Sequence, residues 1–368
     1  MNEDRAVRYH RLRRRATVVS MLTGAGGLVA LLALGWSADL AAWSRSVGGG
    51  VMAAAVSAAV LAAAWEIVSF PLSFYSSFFL DRKYGLSSES FGTWLADHLK
   101  ALGIGLVLTI GAAVAVYGSM SVWPVRWWLV DTGLFAGVAV VLSRLAPVVL
   151  MPMFYRFTPL ARESLRDRLL ALSTRAGVPV LGVFEWGLGE KTTRANAALV
   201  GMGRTRRIIV SDTLLKDYSD DEVETILAHE LSHHVHHDLW SGLAIETLVV
   251  CASLAAGNAA LLTFGPPLGI AGASDIAGLP LLVLAGGAMS LQLTPIANGW
   301  SRRSERRADR YALTLTGRPA PFISAMRRLG AQNLAEARPS KPVFWFFHTH
   351  PTIDERITSA RNFSIEQA

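Results

Sequence analysis

The residues with the clearest chemical potential lie in the stretch ILAHELSHHVHHD, which begins at Ile226. It contains an H-E-x-x-H pattern formed by His229, Glu230 and His233. At about 100° per residue, the two histidines of a helical H-E-x-x-H stand one turn apart on one face, so both imidazoles can reach one Zn²⁺. Glu230 is then placed to take a proton from a water molecule at the metal. The pattern therefore predicts a zinc site with Glu230 as general base.

A hydrolytic zinc site needs a third protein ligand and an open fourth position. The third histidine of the longer metzincin pattern is missing, because position 239 is Leu. The better candidate is Glu305, in the stretch NGWSRRSERRADRYA, with Asp309 one turn further on. Glu305 would complete a His₂Glu site, and Asp309 would hold a ligand imidazole by its free N–H. From the residues alone, an ion pair of Glu305 with Arg302 or Arg306 stays open.

Three more histidines follow the pattern, at His234, His236 and His237. We expect them to form a polar collar where the helix approaches a membrane surface, since an apolar run comes directly after them. His237 also falls near the zinc-facing side of the helix, so a contact with the site stays open for it.

Local signals place these residues on secondary structure. Ser219 precedes three acidic residues, which predicts an N-cap and a helix that carries His229 and His233. Apolar residues at helical spacing predict an earlier helix between Leu160 and Gly177. PVLGVFEWG is typical of one strand, and ANAALVGMGRTRRIIVSDTLL of two short strands around a glycine-containing turn. The sequence therefore predicts a small β-sheet beside the zinc helix.

Composition indicates the solvent in which this site works. Of the 368 residues, 52% are hydrophobic and only 17% are charged, against about 25% charged in soluble domains. A helix needs about 20 apolar residues to cross a bilayer. Six runs are that long, which predicts a protein that spans the membrane six times: 22–43, 51–80, 101–120, 127–153, 239–264 and 277–296.

The distribution of charge predicts how the chain is oriented. The formal net charge is +7, and most Arg and Lys flank the spans in the N-terminal stretch and in the long polar segments. By the positive-inside rule, both termini and these segments are cytoplasmic. Nucleic acid is not an expected partner, because the basic residues flank spans and form no stripe with interleaved aromatics. The lipid bilayer is the expected surroundings.

We accordingly expect four parts. These are a membrane region of four helices (1–153), a cytoplasmic segment with the predicted strands and the H-E-x-x-H helix (154–238), a two-helix transmembrane hairpin (239–298), and a cytoplasmic segment with the third zinc ligand (299–368). The single cysteine, Cys251, excludes a disulfide framework or a thiolate zinc site. Glu66, Asp131 and Arg144 lie inside predicted spans and should face the bundle interior. Glu66 and Arg144 fall at similar depth, so they either pair or line a wet cavity.

Several ordered motifs together resemble the CAAX prenyl protease 1 type of integral-membrane zinc metalloprotease, over nearly the whole chain. Those motifs are FPLSFYSSFFLDRKYGL with WLADHLK, PMFYRFTPL, NAALVGMGRTRRIIVSDTLL, DEVETILAHELSH, SRRSERRADRYA and HTHPTIDERI.

The resemblance implies a mainly α protein, a polytopic transmembrane helical bundle or barrel with a cytoplasmic gluzincin-type protease domain that carries a small β-sheet. Its activity would be zinc-dependent hydrolysis of CAAX-type or other membrane-associated peptides, lipidated or not, by metal-activated water. It assigns one zinc ion to His229, His233 and Glu305, and catalysis to Glu230. His350 and Arg356 would line the catalytic centre, and Asn196 would lie on an edge strand that pairs with the substrate backbone.

Departures from the family pattern leave other functions open. The six spans compare with seven in eukaryotic members, and Ser232 stands where Gly is common. Abundant Arg, Ala and Gly suggest a GC-rich bacterial genome, hence a bacterial cytoplasmic membrane, where prenylated substrates need not exist. A quality-control protease for membrane proteins is therefore the first alternative. A non-catalytic membrane scaffold and a transporter are weaker ones, because neither needs the zinc residues.

Overall fold

A computed structural model describes residues 2–366, which are mainly helical. Met1, Gln367 and Ala368, at the ends of the first and last predicted parts, lie outside the described residues. The helices in chain order are α1 (Asn2–Ala33), α2 (Trp36–Val47), α3 (Val51–Ser73), α4 (Leu80–Lys83), α5 (Phe91–Val122), α6 (Trp127–Leu145), α7 (Met151–Phe154), α8 (Glu163–Arg175), α9 (Asp212–Asp217), α10 (Asp220–Val235), α11 (Asp238–Phe264), α12 (Leu279–Thr316), α13 (Pro319–Gln332), α14 (Lys341–Phe347) and α15 (Ile353–Glu366).

Six helical stretches among the described residues are long and apolar enough to cross a membrane. This confirms the predicted number of spans, but the predicted bounds of the first span, 22–43, are wrong. That helix ends at Ala33, and Trp36 begins the separate helix α2. Gly35 lies between them in the left-handed region, at φ 74°, a conformation that glycine adopts without strain and that interrupts a helix. Hydropathy does not report such a break, because apolar residues continue on both sides of it.

Helix α12 joins a membrane span to the candidate third zinc ligand without a break. Its 38 residues continue through Pro295 and end at Thr316, before Gly317 in the left-handed region. Glu305 and Asp309 therefore lie on the same rigid rod as the apolar residues that begin at Leu279. At 1.5 Å per residue, such a rod fixes their height relative to the membrane span.

The predicted small sheet is present, with four strands in the order β1-β2-β4-β3. The two strands predicted around the glycine turn are β3 (Ala197–Val200) and β4 (Arg207–Ser211), which pair antiparallel. The predicted strand in PVLGVFEWG is β2 (Val183–Trp186), parallel to β4. A fourth strand, β1 (Phe157–Pro159), was not predicted and pairs antiparallel with β2. Strand β3 lies at one edge of the sheet, so one side of it is free to pair with an extended chain.

A buried apolar core holds the H-E-x-x-H helix α10 between α8, α13, α15 and the β3–β4 pair. Leu169 of α8 and Leu227 of α10 are fully buried in it. Helix α10 begins as predicted at Ser219, whose hydroxyl accepts a hydrogen bond from the backbone N–H of Glu222. Glu222 bonds back to the backbone N–H of Ser219 and completes a capping box. The start of the helix is thereby fixed, and with it the direction in which its histidines point.

The membrane part holds polar groups in separate small pairs. Glu66 does not pair with Arg144, as one alternative had it, because its carboxylate lies 2.7 Å from His98 Nε2. Asp131 accepts a hydrogen bond of 2.5 Å from Ser119, and both residues are buried. Each pair gives a partner to a carboxylate that would be costly against lipid.

Candidate metal centre

The three predicted zinc ligands converge in the structure. One ligand atom each of His229, His233 and Glu305 lie within 4.8 Å of one another. The Nε2 atoms of His229 and His233 lie 3.2 Å and 3.5 Å from the two carboxylate oxygens of Glu305. Helix α10 supplies the histidines from one face, and α12 crosses it to supply the carboxylate. The alternative ion pairs of Glu305 are not formed, because Arg302 donates to the carbonyls of Phe344 and His348, and Arg306 to Glu355.

The outer nitrogen of each histidine ring faces a carboxylate. Asp309 Oδ1 lies 2.9 Å from His229 Nδ1, and Asp238 Oδ2 lies 2.9 Å from His233 Nδ1. A carboxylate in this position holds the proton on Nδ1 and turns the Nε2 lone pair towards the third ligand. The Asp309 contact was predicted, whereas Asp238 was missed. Asp238 follows a turn in which His237 adopts φ 57°, and only that turn brings it back to His233.

These residues fit a divalent cation. With Nδ1 protonated on both rings, the Nε2 lone pairs and the Glu305 oxygens face one another, and one buried oxygen, Glu305 Oε2, has no hydrogen-bond donor among the described residues. Burial lowers the pKa of His229, but Asp309 and Glu305 outweigh burial and raise that pKa to about 9. The two carboxylates thus favour positive charge at the His229 ring, and a bound cation would take the place of the second ring proton. Two imidazoles and one carboxylate are a typical donor set for catalytic zinc.

Glu230 lies beside the cluster and lines a cavity of about 560 Å³ together with His229, Glu305 and His350. Burial raises the pKa of the Glu230 carboxyl above its ordinary value. A raised pKa makes a carboxylate a better proton acceptor near neutral pH. The cavity is polar at this end and large enough for part of a peptide.

The segment after α14 brings His350 to Glu305, next to the metal cluster. His350 Nε2 lies 3.4 Å from Glu305 Oε1, and its side chain is 60% exposed to the cavity. Two buried side chains of α12 fix this segment. Asn298 donates to the carbonyls of Trp345 and Phe346, at 3.0 Å each, and Arg302 donates to that of His348 at 2.6 Å.

Arg356, which the resemblance places at the catalytic centre, orients a carboxylate. It forms a two-point ion pair with Asp309, with Nε–Oδ2 and Nη2–Oδ1 distances of 2.9 Å and 2.5 Å. Arg356, Asp309 and His229 therefore form a buried chain that ends at the metal cluster. Buried ion pairs of this kind need good geometry to offset desolvation, and the planar two-point contact supplies it.

Asn196 precedes β3 rather than lying on it. Its carbonyl accepts from the backbone N–H of Ser211 at 2.9 Å, and its backbone N–H donates to the Ser211 hydroxyl at 3.0 Å. In an antiparallel pair, alternate residues point their backbone groups outward. The free edge is therefore made by Ala197 and Leu199, and Asn196 contributes only its side chain, which lines the cavity.

The remaining histidines do not join the metal cluster. His234 Nε2 lies 3.1 Å from the Leu199 carbonyl, at the free edge of β3. His236 contacts Ser232 at the end of α10, and His237 forms the turn to α11. The collar at the membrane surface stays a prediction for His236 and His237, whereas His234 contacts the edge strand.

A second cavity, of about 640 Å³, opens on the other side of the cluster. It is reached from His233 and Glu305 and continues between the apolar residues Leu239, Trp240 and Ile245. The edge strand connects the two cavities, because Ala197 lines the first and Leu199 the second. An extended peptide on β3 would therefore pass the metal cluster with its two halves in different surroundings.

Comparison with known proteins identifies the family. The model of peptidase family M48 matches residues 159–364, and the model described as the CAAX prenyl protease N-terminal region with five membrane helices matches residues 2–156. Relatives include the uncharacterized metalloprotease YhfN of Bacillus subtilis, 29% identical over 82% of this chain and 71% of that protein. The probable CAAX prenyl protease 1 of Schizosaccharomyces pombe is 27% identical over 80% of this chain and 62% of its own length.

The fold agrees with that assignment. The crystal structure of Ste24p from S. mikatae superposes with a TM-score of 0.87, covering 98% of this chain and 89% of that chain at 20% sequence identity. The predicted mainly helical membrane fold with a small sheet is thus confirmed. The matched family models cover both halves of the chain, and the metal cluster lies in the half matched by the peptidase model. This chain belongs to peptidase family M48 and is an integral-membrane metalloendopeptidase.

Proposed function

We propose that the chain is a zinc endopeptidase that cleaves membrane-associated peptides of the CAAX type, close to their C-terminus. The observation that carries the proposal is the His229, His233 and Glu305 cluster beside Glu230, at the meeting point of two cavities. The names of the yeast relatives support CAAX-type substrates. The apolar lining of the second cavity supports a substrate whose N-terminal side carries apolar or lipid groups.

His229, His233 and Glu305 would hold the zinc ion, with Asp309 and Asp238 fixing the two imidazoles. Zinc, when bound, polarises the scissile carbonyl and makes a nearby water more acidic. The edge strand β3 would align the peptide by hydrogen bonds with the backbone of Ala197 and with the Leu199 N–H, because the Leu199 carbonyl already contacts His234. Glu230 takes the proton of the attacking water and delivers it to the leaving amine.

His350 lies beside the cluster in the same cavity and would donate a hydrogen bond to the carbonyl oxygen as negative charge develops on it. Asn298 and Arg302 hold the segment that carries it. Arg356 would hold Asp309, which in turn orients the His229 ring.

Glu230→Gln tests this mechanism most directly. The amide cannot accept a proton, so cleavage of a fluorogenic CAAX peptide should fall by about 10² to 10⁴ while zinc stays bound, because both imidazoles and Glu305 are unchanged. Glu305→Ala is the matched variant, since it leaves two protein ligands and should lose zinc measured by elemental analysis. Near-normal turnover in the Glu230 variant would rule out the proposed base.

A quality-control protease without prenyl specificity is the second candidate, favoured by the bacterial relative that is named only as a metalloprotease. Farnesylated and unmodified forms of one peptide separate the two. A lower KM for the farnesylated form supports CAAX-type recognition, whereas equal values support the broader protease.

We also propose that the protease part and both chain ends face the cytoplasm of a bacterial membrane. The basic residues that flank the spans support this orientation. A reporter fused after Ala368 should be active only on the cytoplasmic side, and activity only outside would contradict it.

A further inference from the structure

The wall of the catalytic cavity that faces away from the zinc helix is formed by α1. His10, Arg13, Arg14 and Thr17 all line it. Residues spaced by three, four and seven positions share one face of a helix, so a single face of the basic N-terminal stretch points into the cavity. Arg11 and Arg15 do not line the cavity and lie on the other side of the helix.

Polar contacts fix this wall against the protease part. Tyr9 is buried, and its hydroxyl donates to Asp81 at 2.6 Å. His10 Nε2 lies 2.8 Å from the Leu334 carbonyl, and Arg14 pairs with the carboxylate of Glu336. The cavity-facing side of α1 is therefore a built surface rather than a freely moving tail.

The charges of the cavity leave one cation without a partner. Arg14 is neutralised by Glu336, and Arg356, further in, by Asp309. Glu305 belongs to the metal cluster. Arg13 donates at 2.6 Å to the neutral hydroxyl of Tyr9 and has no carboxylate within 4.0 Å among the described residues. An exposed guanidinium at the wall of a substrate cavity is suited to a two-point contact with a carboxylate.

The edge strand indicates which end of a peptide reaches this wall. Strand β3 runs from Ala197, at the first cavity, to Leu199, at the second. Antiparallel pairing, the more stable arrangement per residue, directs the C-terminal half of a bound peptide into the first cavity. The N-terminal half then lies in the second cavity, among the apolar residues of the spans.

We propose that Arg13 binds the free C-terminal carboxylate of the substrate peptide, and so directs cleavage to bonds near the C-terminus. This inference rests on the proposed function and names the part of the substrate that the first cavity recognises. Arg13 is a substrate-binding residue in it and takes no part in proton transfer.

The other anion available at such a helix is a lipid phosphate. The cavity-facing side of α1 disfavours that partner for Arg13, because the side chain shares its cavity with Glu230 and His350. Arg11 and Arg15, on the outer face, are the residues placed to meet headgroups. They provide a matched control on the same helix.

The test compares two fluorogenic peptides that differ only in a C-terminal carboxylate or carboxamide, with enzyme in neutral detergent. A charge-assisted contact should make kcat/KM for the acid about tenfold to hundredfold higher than for the amide. Arg13→Gln should lower cleavage of the acid to the level of the amide, and Arg13→Lys should restore part of the difference. Arg11→Gln should keep the wild-type ratio.

A binding measurement separates this inference from the proposed function. The same two peptides are titrated into the Glu230→Gln variant, with and without Arg13→Gln, by fluorescence anisotropy. Preferential binding of the acid that disappears with Arg13→Gln supports the carboxylate site even if the wild-type enzyme cleaves neither peptide. Equal affinities for acid and amide would overturn it. So would an Arg13→Gln effect that appears only in anionic vesicles, since that result assigns Arg13 to lipid phosphate.

Discussion

The membrane helices and the protease part of this chain are held together by different means. In the protease part, helix α10 is buried on nearly every side by apolar residues of the surrounding helices and of the small sheet. In five of the six apolar spans, less than a quarter of the most apolar window is buried by protein. Lipid covers the apolar surface that is not packed against protein. The apolar side chains of the spans therefore determine how deep a helix lies in the bilayer more than which helices it packs against.

Polar groups show the same contrast. The membrane part has isolated pairs, such as Glu66 with His98. The metal centre has a continuous network that runs from Arg356 through Asp309 and the two histidines to Asp238. Buried polar groups in one network depend on one another. If one is removed, its partner stays buried without a hydrogen bond, and the cost of desolvating that partner is no longer offset. Single substitutions should therefore reach further in the protease part than in the spans.

A matched pair of leucines tests the contrast in packing and carries the largest expected effect. Leu169→Ala, in the protease core at 0% exposure, should cost about 2–5 kcal/mol of stability through lost burial and a cavity. Leu248→Ala, on α11 at 65% exposure, should cost well under about 1 kcal/mol, since lipid replaces the lost contacts. The measurement is the apparent Tm of each purified variant in the same detergent.

Equal losses in the two variants would show that the exposed face of α11 is covered by protein rather than by lipid. A larger loss of stability in Leu248→Ala than in Leu169→Ala would mean that the spans depend more on protein packing than the protease part does.

The same contrast explains what could be predicted from the sequence. Hydropathy predicted six spans because crossing a bilayer demands a run of apolar residues whatever their neighbours. It could not predict that His98 is the partner of Glu66, or that Gly35 ends the first span. Partners and breaks depend on helix rotation and local backbone conformation, which an apolar composition does not record.

At the candidate metal centre, spacing along a helix predicted that His229 and His233 share a face. The need for a third ligand indicated Glu305, and the resemblance supplied His350; both lie far from that helix in sequence. Asp238 and Arg13 were missed because a tight turn and a helix from the other end of the chain bring them to the site. A basic N-terminal stretch is also typical of a cytoplasmic segment next to a membrane span. Nothing in its composition distinguishes Arg13, which lines the cavity, from its basic neighbours.

The second prediction concerns His350, whose contact with the network is its approach to Glu305. His350→Ala should retain zinc but lose about 10² to 10³ in kcat, the scale for one donor to a developing oxyanion. Steady-state kinetics with a zinc determination on the same preparation measures both quantities.

His348→Ala is the control for position in the same segment. Its ring lies 3.7 Å from Glu336 rather than near the metal cluster, so its loss in kcat should be far smaller. Similar losses in both variants would indicate that the segment matters only for folding, and that His350 makes no contact with the transition state.

Asp238 gives the smallest predicted effect and the finest test of whether the protease network acts as a unit. Its Oδ2 holds His233 Nδ1, while its other oxygen pairs with Arg307. Asp238→Asn keeps the shape of the side chain but removes its negative charge. This weakens the hydrogen bond that orients the His233 imidazole. Loss of such a contact typically lowers metal affinity by about 10- to 100-fold, measurable by competition with a chelator, and excess zinc should restore cleavage.

Arg307→Gln removes the partner of Asp238 without touching the histidine, and Arg307 is 42% exposed. An exposed ion pair contributes about 0–1 kcal/mol, so zinc affinity in this variant should change by less than about fivefold. If the two variants lose zinc equally, Asp238 acts mainly through Arg307 in fixing the turn before α11. If Asp238→Asn loses activity that excess zinc does not restore, the carboxylate does more than orient a ligand. A graded response, larger for Asp238 and reversible with zinc, would show that the network extends outward from the metal and weakens where solvent reaches it.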